Sequence, residues 1–262
     1  MRVKKMVTKN ELLVSKFFLK NENELKREKL VKTDKYPFSI PIIRNFKEFK
    51  LKKQVTFIIG ENGSGKSTLI EAFAIRCRFN AEGGSRNFKF STYDTNSGFY
   101  RYLNIDKSWE FSVSDGYFLR SETLYNLSTK IDENLRGGWE TKSDYGKKPL
   151  HQQSHGESVL SLLNNRFSKR GLYIFDEPET GLSPKSLLTM LAMINDLVKM
   201  QSQFIICTHS PILLSFPNCE IYEINNDKLQ LIKYEETDCY NLSKYFLMNY
   251  KVMLNKLGFD EF

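Results

Sequence analysis

Eight residues, GENGSGKS from Gly60 to Ser67, set three glycines, a lysine and a hydroxyl at the spacing GxxxxGK[ST]. Gly60, Gly63 and Gly65 let backbone N–H groups close around phosphate oxygens without Cβ clashes. Lys66 then reaches the β- and γ-phosphates of a nucleotide, and the Ser67 hydroxyl takes Mg2+. Such a site needs a carboxylate to place the metal and a base to activate water. Asp176 and Glu177, side by side in LYIFDEPE, supply both types. Asp176 suits the metal and Glu177 the base. His209 follows another apolar run, FIIC, and a neutral imidazole there can hydrogen-bond a γ-phosphate and register its loss. A fourth segment, Ser154-His155-Gly156-Glu157-Ser158, puts small and hydroxylic residues just before an apolar-periodic stretch. That is a second helix N-terminus fit for an anion. A chain with one nucleotide loop leaves it to be explained.

The elements around these residues are legible. Val55–Ile59 is short, apolar and β-branched, which predicts a buried strand. Leu69, Ile70 and Phe73 continue past the loop at helical spacing, completing the strand–loop–helix context that a phosphate loop requires. GLYIFDEPE, Gly171 to Glu179, predicts a second buried strand ending in acids. Ser183 then reads as a helix N-cap with Pro184 at the first helical position. QFIICTHSP, Gln203 to Pro211, predicts a third strand ending in polar residues, His209 among them. Strands alternating with helices predict an α/β sheet, whose ligands sit at the carboxyl ends of the strands. Residues 109–120 alternate around Asp115-Gly116, which predicts a hairpin. Residues 220–234 predict another, turning at Asn225-Asn226-Asp227. Glu179 takes no role here and is expected to be solvated.

The net charge of +8 is unevenly spread: residues 1–53 carry 16 basic and 6 acidic side chains, and the rest is close to neutral. That segment can draw nucleic acid or an acidic partner, or simply be a solvated charged face. No apolar run approaches the roughly 18–20 residues of a membrane span, and the basic start lacks a signal's apolar centre. Membrane insertion is not expected and the chain reads as cytoplasmic. Cys77, Cys207, Cys219 and Cys239 lie far apart with no CxxC pair, so neither a zinc site nor a disulfide framework is expected.

Taken in order, FIIGENGSGKST, GGSRNFKFST, QSHGES, LYIFDEPETGLSP and FIICTHSPIL resemble the ATP-binding cassette ATPases. More narrowly, YPFSIP, GGSRNF and SHGES resemble the compact soluble AAA_21-like ATPases, kin to the RecF, SMC and OLD ATPases. The resemblance runs from about Tyr36 to Tyr240. It implies a P-loop NTPase fold of the ATP-binding cassette head type, with a mixed sheet, an antiparallel β lobe and a small helical lobe. Residues 1–262 would form one such domain, with the basic segment 1–53 at one end and a hairpin and helix, 220–262, at the other. It also implies a homodimer on ATP binding. Two copies stack head to tail, each nucleotide lying on one copy's Gly60, Glu61, Asn62, Gly63, Ser64, Gly65, Lys66, Ser67 and Thr68 and facing Ser154–Ser158 of the other. ATP and Mg2+ are the implied cofactors. Gly181-Leu182-Ser183 matches the loop that crosses between subunits.

Two departures stand out. Most cassettes carry a glutamine between the phosphate loop and the signature, yet no Gln occurs from Val55 to His151. Arg120 and Glu122 fall near its place, and either can substitute. The signature reads Ser-His-Gly-Glu-Ser rather than Ser-Gly-Gly-Gln. For adenine, Tyr36 and Phe38 are candidates that serve equally as core aromatics. Three outputs follow. The first is an ATP-driven switch of a protein partner, a nuclease or other effector, in DNA repair or anti-phage defence. The second is the nucleotide-binding subunit of a transporter, against which the missing glutamine argues. The third is a non-hydrolysing nucleotide-sensing scaffold, against which Lys66, Asp176, Glu177 and His209 argue.

Overall fold

Side chains of the central strands alternate between two apolar layers, and that alternation sets the architecture. The computed structural model describes residues 12–86, 96–108, 111, 114–123, 154–225 and 227–259. In chain order its strands are β1 (Val14–Leu19), β2 (Glu48–Lys50), β3 (Val55–Ile59), β4 (Gly84–Ser85), β5 (Leu103–Lys107), β6 (Gly116–Arg120), β7 (Leu172–Asp176), β8 (Gln203–Cys207), β9 (Glu220–Asn225) and β10 (Lys228–Ile232). The helices are α1 (Glu22–Arg27), α2 (Pro41–Asn45), α3 (Lys66–Arg76), α4 (His155–Asn165), α5 (Pro184–Lys199), α6 (Pro211–Leu214) and α7 (Asp238–Lys256).

Seven strands form the main sheet in the order β10-β9-β3-β8-β7-β6-β4. β9, β3, β8, β7 and β6 run parallel, and the two edge strands are antiparallel to their neighbours. On one face Phe57, Tyr173, Phe175, Phe204 and Ile206 pack under α4 and α5 through Val159, Leu162, Leu187 and Ile194. On the other face Ile58, Ile174, Ile205 and Cys207 meet α3. That helix is covered in turn by a second sheet, β2-β1-β5, all antiparallel. Phe73 of α3 lies between Phe17 and Phe49 of this sheet, with ring centroids 4.0 and 5.6 Å away. α3 therefore runs through the middle of the protein with the phosphate loop at its start. Ser183 caps α5 by accepting the Ser186 N–H, with Pro184 at its first turn.

Among the described residues, Asp115-Gly116 does not turn the hairpin expected at 109–120. Gly116 opens β6, which pairs in parallel with β7 and antiparallel with the short β4; residues 109–110 and 112–113 lie outside the described set. Gly116 is needed for closeness rather than for a turn, because a Cβ there would sit 2.6 Å from the Leu172 carbonyl oxygen and 2.7 Å from the Phe79 ring. Asp115 instead receives hydrogen bonds from Arg166 and Ser168, each at 2.9 Å. The second hairpin does form, with Lys228 opposite Asn225. α7 buries none of its residues, and Leu247 and Met248 are each 74% exposed.

Candidate functional site

Parallel register brings the chemical residues to one edge of the sheet. Ile58 pairs with Cys207, Cys207 with Asp176, and Asp176 with Arg120, so β3, β8, β7 and β6 end together. Beyond β3 the loop turns through Gly60, Gly63 and Gly65, all at positive φ. Gly65 is the N-cap of α3 at φ 96°, and a Cβ there would lie 2.7 Å from both Ile40 and Ile42. Any other residue would be strained and would push α2 away.

Lys66 is buried, and its ammonium donates to the carbonyl oxygens of Gly60 (2.7 Å) and Glu61 (2.8 Å), which holds the loop curled. Burial pulls its pKa below the ordinary lysine value, opposed by the charges of Glu177, Asp176 and Glu179. The Ser64 hydroxyl is buried with no hydrogen-bond partner among the described residues. The Ser67 hydroxyl donates to Asp176 Oδ1 at 3.4 Å. Asp176 is 4% exposed, and burial pushes its carboxyl up to about 6, with the Arg120 guanidinium pulling the other way.

Glu177 follows with φ 52°, a left-handed backbone that costs a non-glycine residue about 1–2 kcal/mol. Three hydrogen bonds hold it there: its N–H donates to the Cys207 carbonyl (2.9 Å), and its own carbonyl accepts from the Ser121 hydroxyl (2.5 Å) and from the Thr180 N–H (3.2 Å). Glu179 is not simply solvated. Its Oε1 accepts the His209 N–H at 2.6 Å and so pins the backbone of the β8 exit. Glu179 escaped the sequence reading because an acid directly after a proline carries no spacing rule. His209 itself is exposed and shares a cleft of about 610 Å3 with Gly60–Ser64, Glu223, Ile224 and Asp238. This cleft flanks the β9 side of the loop. Its lining holds Glu61, Glu223, Asp227 and Asp238 and no lysine or arginine, a poor lining for phosphate.

Ser154 caps α4 in a capping box. Its Oγ accepts the Glu157 N–H at 3.3 Å, and its own N–H donates to Glu157 Oε2 at 2.8 Å. Ser154 and Glu157 are exposed, Ser158 is buried, and the His155 side chain lies outside the described residues. Gly156 is buried against the 181–182 turn, where a Cβ would sit 2.9 Å from the Gly181 carbonyl oxygen. None of Ser154, Gly156, Glu157 or Ser158 lines the cleft beside the loop. Arg120 lies next to the acids, 3.9 Å from Asp176, whereas Glu122 points outward with its side chain 75% exposed. Phe38 is a core aromatic, edge-on to Tyr102 at 4.8 Å, and Tyr36 is 58% exposed.

The donor set fits a triphosphate with magnesium. Ser64 offers an unpartnered buried hydroxyl and Lys66 a charge. Ser67 and Asp176 are two oxygen donors, few enough for a cation that keeps several waters and takes the rest from phosphate. Among the described residues no group of three or more His, Cys, Asp or Glu is arranged to hold a metal ion by itself. No helix among them is long and apolar enough to cross a membrane.

A glycine loop feeding a helix at the carboxyl edge of a parallel sheet, with an acid-ended strand two places away, defines a P-loop ATPase fold. The family model of the AAA domain, AAA_23, matches residues 38–180. The chain belongs to this family, whose members bind ATP through the phosphate loop; His209 lies beyond the matched segment. No curated protein matches it. Among solved structures it is similar to cbiO1 from Clostridium perfringens, part of the ABC transporter complex cbiONQ. That match has 18% identity and a TM-score of 0.43 over 79% of this chain and 89% of that one. It is also similar to the SMC head domain from Thermotoga maritima, with 16% identity and a TM-score of 0.42 over 85% and 99%.

Proposed function

We propose that this chain binds and hydrolyses ATP with Mg2+ at a site shared between two copies stacked head to tail, and that the resulting movement switches a protein partner. The observation that carries this reading is the 3.4 Å contact of Ser67 with Asp176, beside a buried Lys66 and with Glu177 next in the chain. Bound ATP supplies the γ-phosphate bond to be broken, and Mg2+ supplies neutralising charge on its oxygens. Gly60–Thr68 cradles the phosphates, with Lys66 as the point charge. Ser67 and Asp176 would hold the metal. Glu177 accepts the proton of the attacking water. His209, its main chain pinned by Glu179, hydrogen-bonds toward the terminal phosphate. Ser154, at the exposed tip of α4, meets the nucleotide of the other copy, with the 181–183 turn packed behind it.

In this reading residues 1–262 act as one ATPase domain in the cytoplasm. The basic segment 1–53 is the place where nucleic acid would be met, and the partner is a nuclease or another effector in repair or anti-phage defence. The conjunction of Lys66, Asp176 and Glu177 favours hydrolysis over a passive scaffold. In Glu177→Gln, turnover should fall by roughly 10²–10⁴-fold, the usual worth of a general base. ATP should still bind, and sedimentation should show a dimer only when ATP is present. Wild-type turnover in that variant removes Glu177 from the base role, and a monomer with ATP bound removes the shared site. Lys66→Ala should lose ATP binding in equilibrium dialysis.

A further inference from the structure

The last residue of the strand beside the acids and the residue that follows it both reach across to them. Arg120 closes β6 as the register partner of Asp176. Its guanidinium lies 2.8 Å from Glu71, 3.3 Å from Glu122 and 3.9 Å from Asp176. Glu71 belongs to α3, the helix that carries Lys66 and Ser67, and is only 6% exposed. Its second oxygen accepts the Ser97 N–H at 3.0 Å, so it is fixed on both sides. The next residue, Ser121, is half-buried and donates its hydroxyl to the Glu177 carbonyl oxygen at 2.5 Å. Glu177 keeps a left-handed backbone, a conformation that persists only where the surroundings hold it.

We propose that Arg120 and Ser121 form a positioning pair for the two acids: Ser121 fixes the peptide that aims Glu177, and Arg120 is the counter-charge of Asp176 until a divalent cation takes that place. This rests on the ATPase reading above. The two residues occupy adjacent positions and grip adjacent positions, so any shift of the segment after β6 moves both grips together. Arg120 is held back by Glu71 on a short, buried contact. It therefore stays close to Asp176 when a cation arrives, and like charge at that distance weakens the cation's hold. The Ser121 hydroxyl donates to main chain, at the Glu177 carbonyl, so its effect falls on the placement of Glu177 and not on nucleotide affinity. The pair stands where a glutamine loop is expected, but it acts on the acids through a guanidinium and a hydroxyl rather than through an amide.

Hydrogen exchange on the nucleotide-free protein tests the Ser121 grip without any turnover. In Ser121→Ala the amides of Glu177, Glu179 and Thr180 should exchange at least about tenfold faster, with those of β8 unchanged, and Ser121→Thr should restore protection. Equal exchange at those amides in Ser121→Ala and wild type overturns that grip. In steady-state ATPase assays Ser121→Ala should lower kcat about tenfold with the KM for ATP within twofold. A rise in KM that accounts for the whole loss overturns the positioning role. Titrating Mg2+ at fixed ATP, Arg120→Gln should lower the half-saturating concentration several-fold. Arg120→Lys, which keeps the charge but not the fork, should leave it within twofold. A weaker Mg2+ response in Arg120→Gln overturns the counter-charge role. A wild type that hydrolyses no ATP defeats the ATPase reading, while the exchange result still decides the Ser121 grip.

Discussion

Asp176 is where the cost of the site concentrates. Burial raises its carboxyl from the ordinary 3.8 to about 6, against the pull of Arg120. A raised folded-state pKa means that the protonated form is the one the fold prefers. The favourable contribution is complete below about 4 and is lost as pH rises through 6, so at neutral pH the metal-free protein carries a penalty of roughly 2–3 kcal/mol. Asp176→Asn should therefore unfold at higher urea than wild type at pH 8, by about 2 kcal/mol, when nucleotide and divalent cation are left out. The gap should close toward pH 4, and a gap that persists there would place its origin elsewhere. The identity of this residue was legible because an acid ending a run such as LYIF after a glycine loop has few other uses. Its partners were not. Arg120 was visible only as a stand-in for a missing glutamine, and Ser121 and Glu179 had no signal, because their bonds run to backbone atoms 56 and 30 positions away. Contacts of that kind exist only once the sheet has set its register.

At the scale of elements, the sequence was most legible where one residue type decides a local conformation. Ser183-Pro184 starts α5 because a hydroxyl cap and a fixed φ act within one turn. Asp115-Gly116 was misread for the opposite reason: glycine serves a turn and a tight interlayer contact equally well, and only the packed Phe79 and Leu172 tell them apart. The tip of α4 is a further case. Glu157 looks like a departure from the expected signature, and the fold uses it as the return half of a capping box with Ser154. Glutamine can make the same box, so the helix does not require the charge. In the shared-site reading that charge faces the other copy's triphosphate. Glu157→Gln should lower the melting temperature by no more than about 4 °C, since loss of a favourable first-turn charge is worth roughly 0.3–1 kcal/mol. Placed in the Glu177→Gln background, it should tighten the ATP-dependent dimer several-fold in sedimentation. Unchanged association would mean that the tip of α4 does not meet nucleotide.

At the scale of the whole molecule, two sheets with α3 between them must be locked together if the loop is to sit still over the acids. Apolar packing around Phe73 does most of this, but packing alone sets no register between layers. Gln203 supplies one. It opens β8, is 1% exposed, and its amide meets the main chain of Val14 in β1 twice, accepting the Val14 N–H at 3.0 Å and donating to the Val14 carbonyl at 2.8 Å. One side chain thus imitates a strand neighbour and joins the small sheet to the large one. Gln203→Ala leaves a buried donor and a buried acceptor without those bonds, a loss of about 2–3 kcal/mol. For a chain of this length that is a fall in melting temperature of roughly 5–10 °C. The tie sits at the amino end of β8 and His209 lies past its carboxyl end, so the loss should be one of stability with little change in ATP affinity at 20 °C. A variant that melts like wild type would show that water satisfies Val14. A variant that melts normally yet binds ATP poorly would show that the small sheet steers the glycine loop directly.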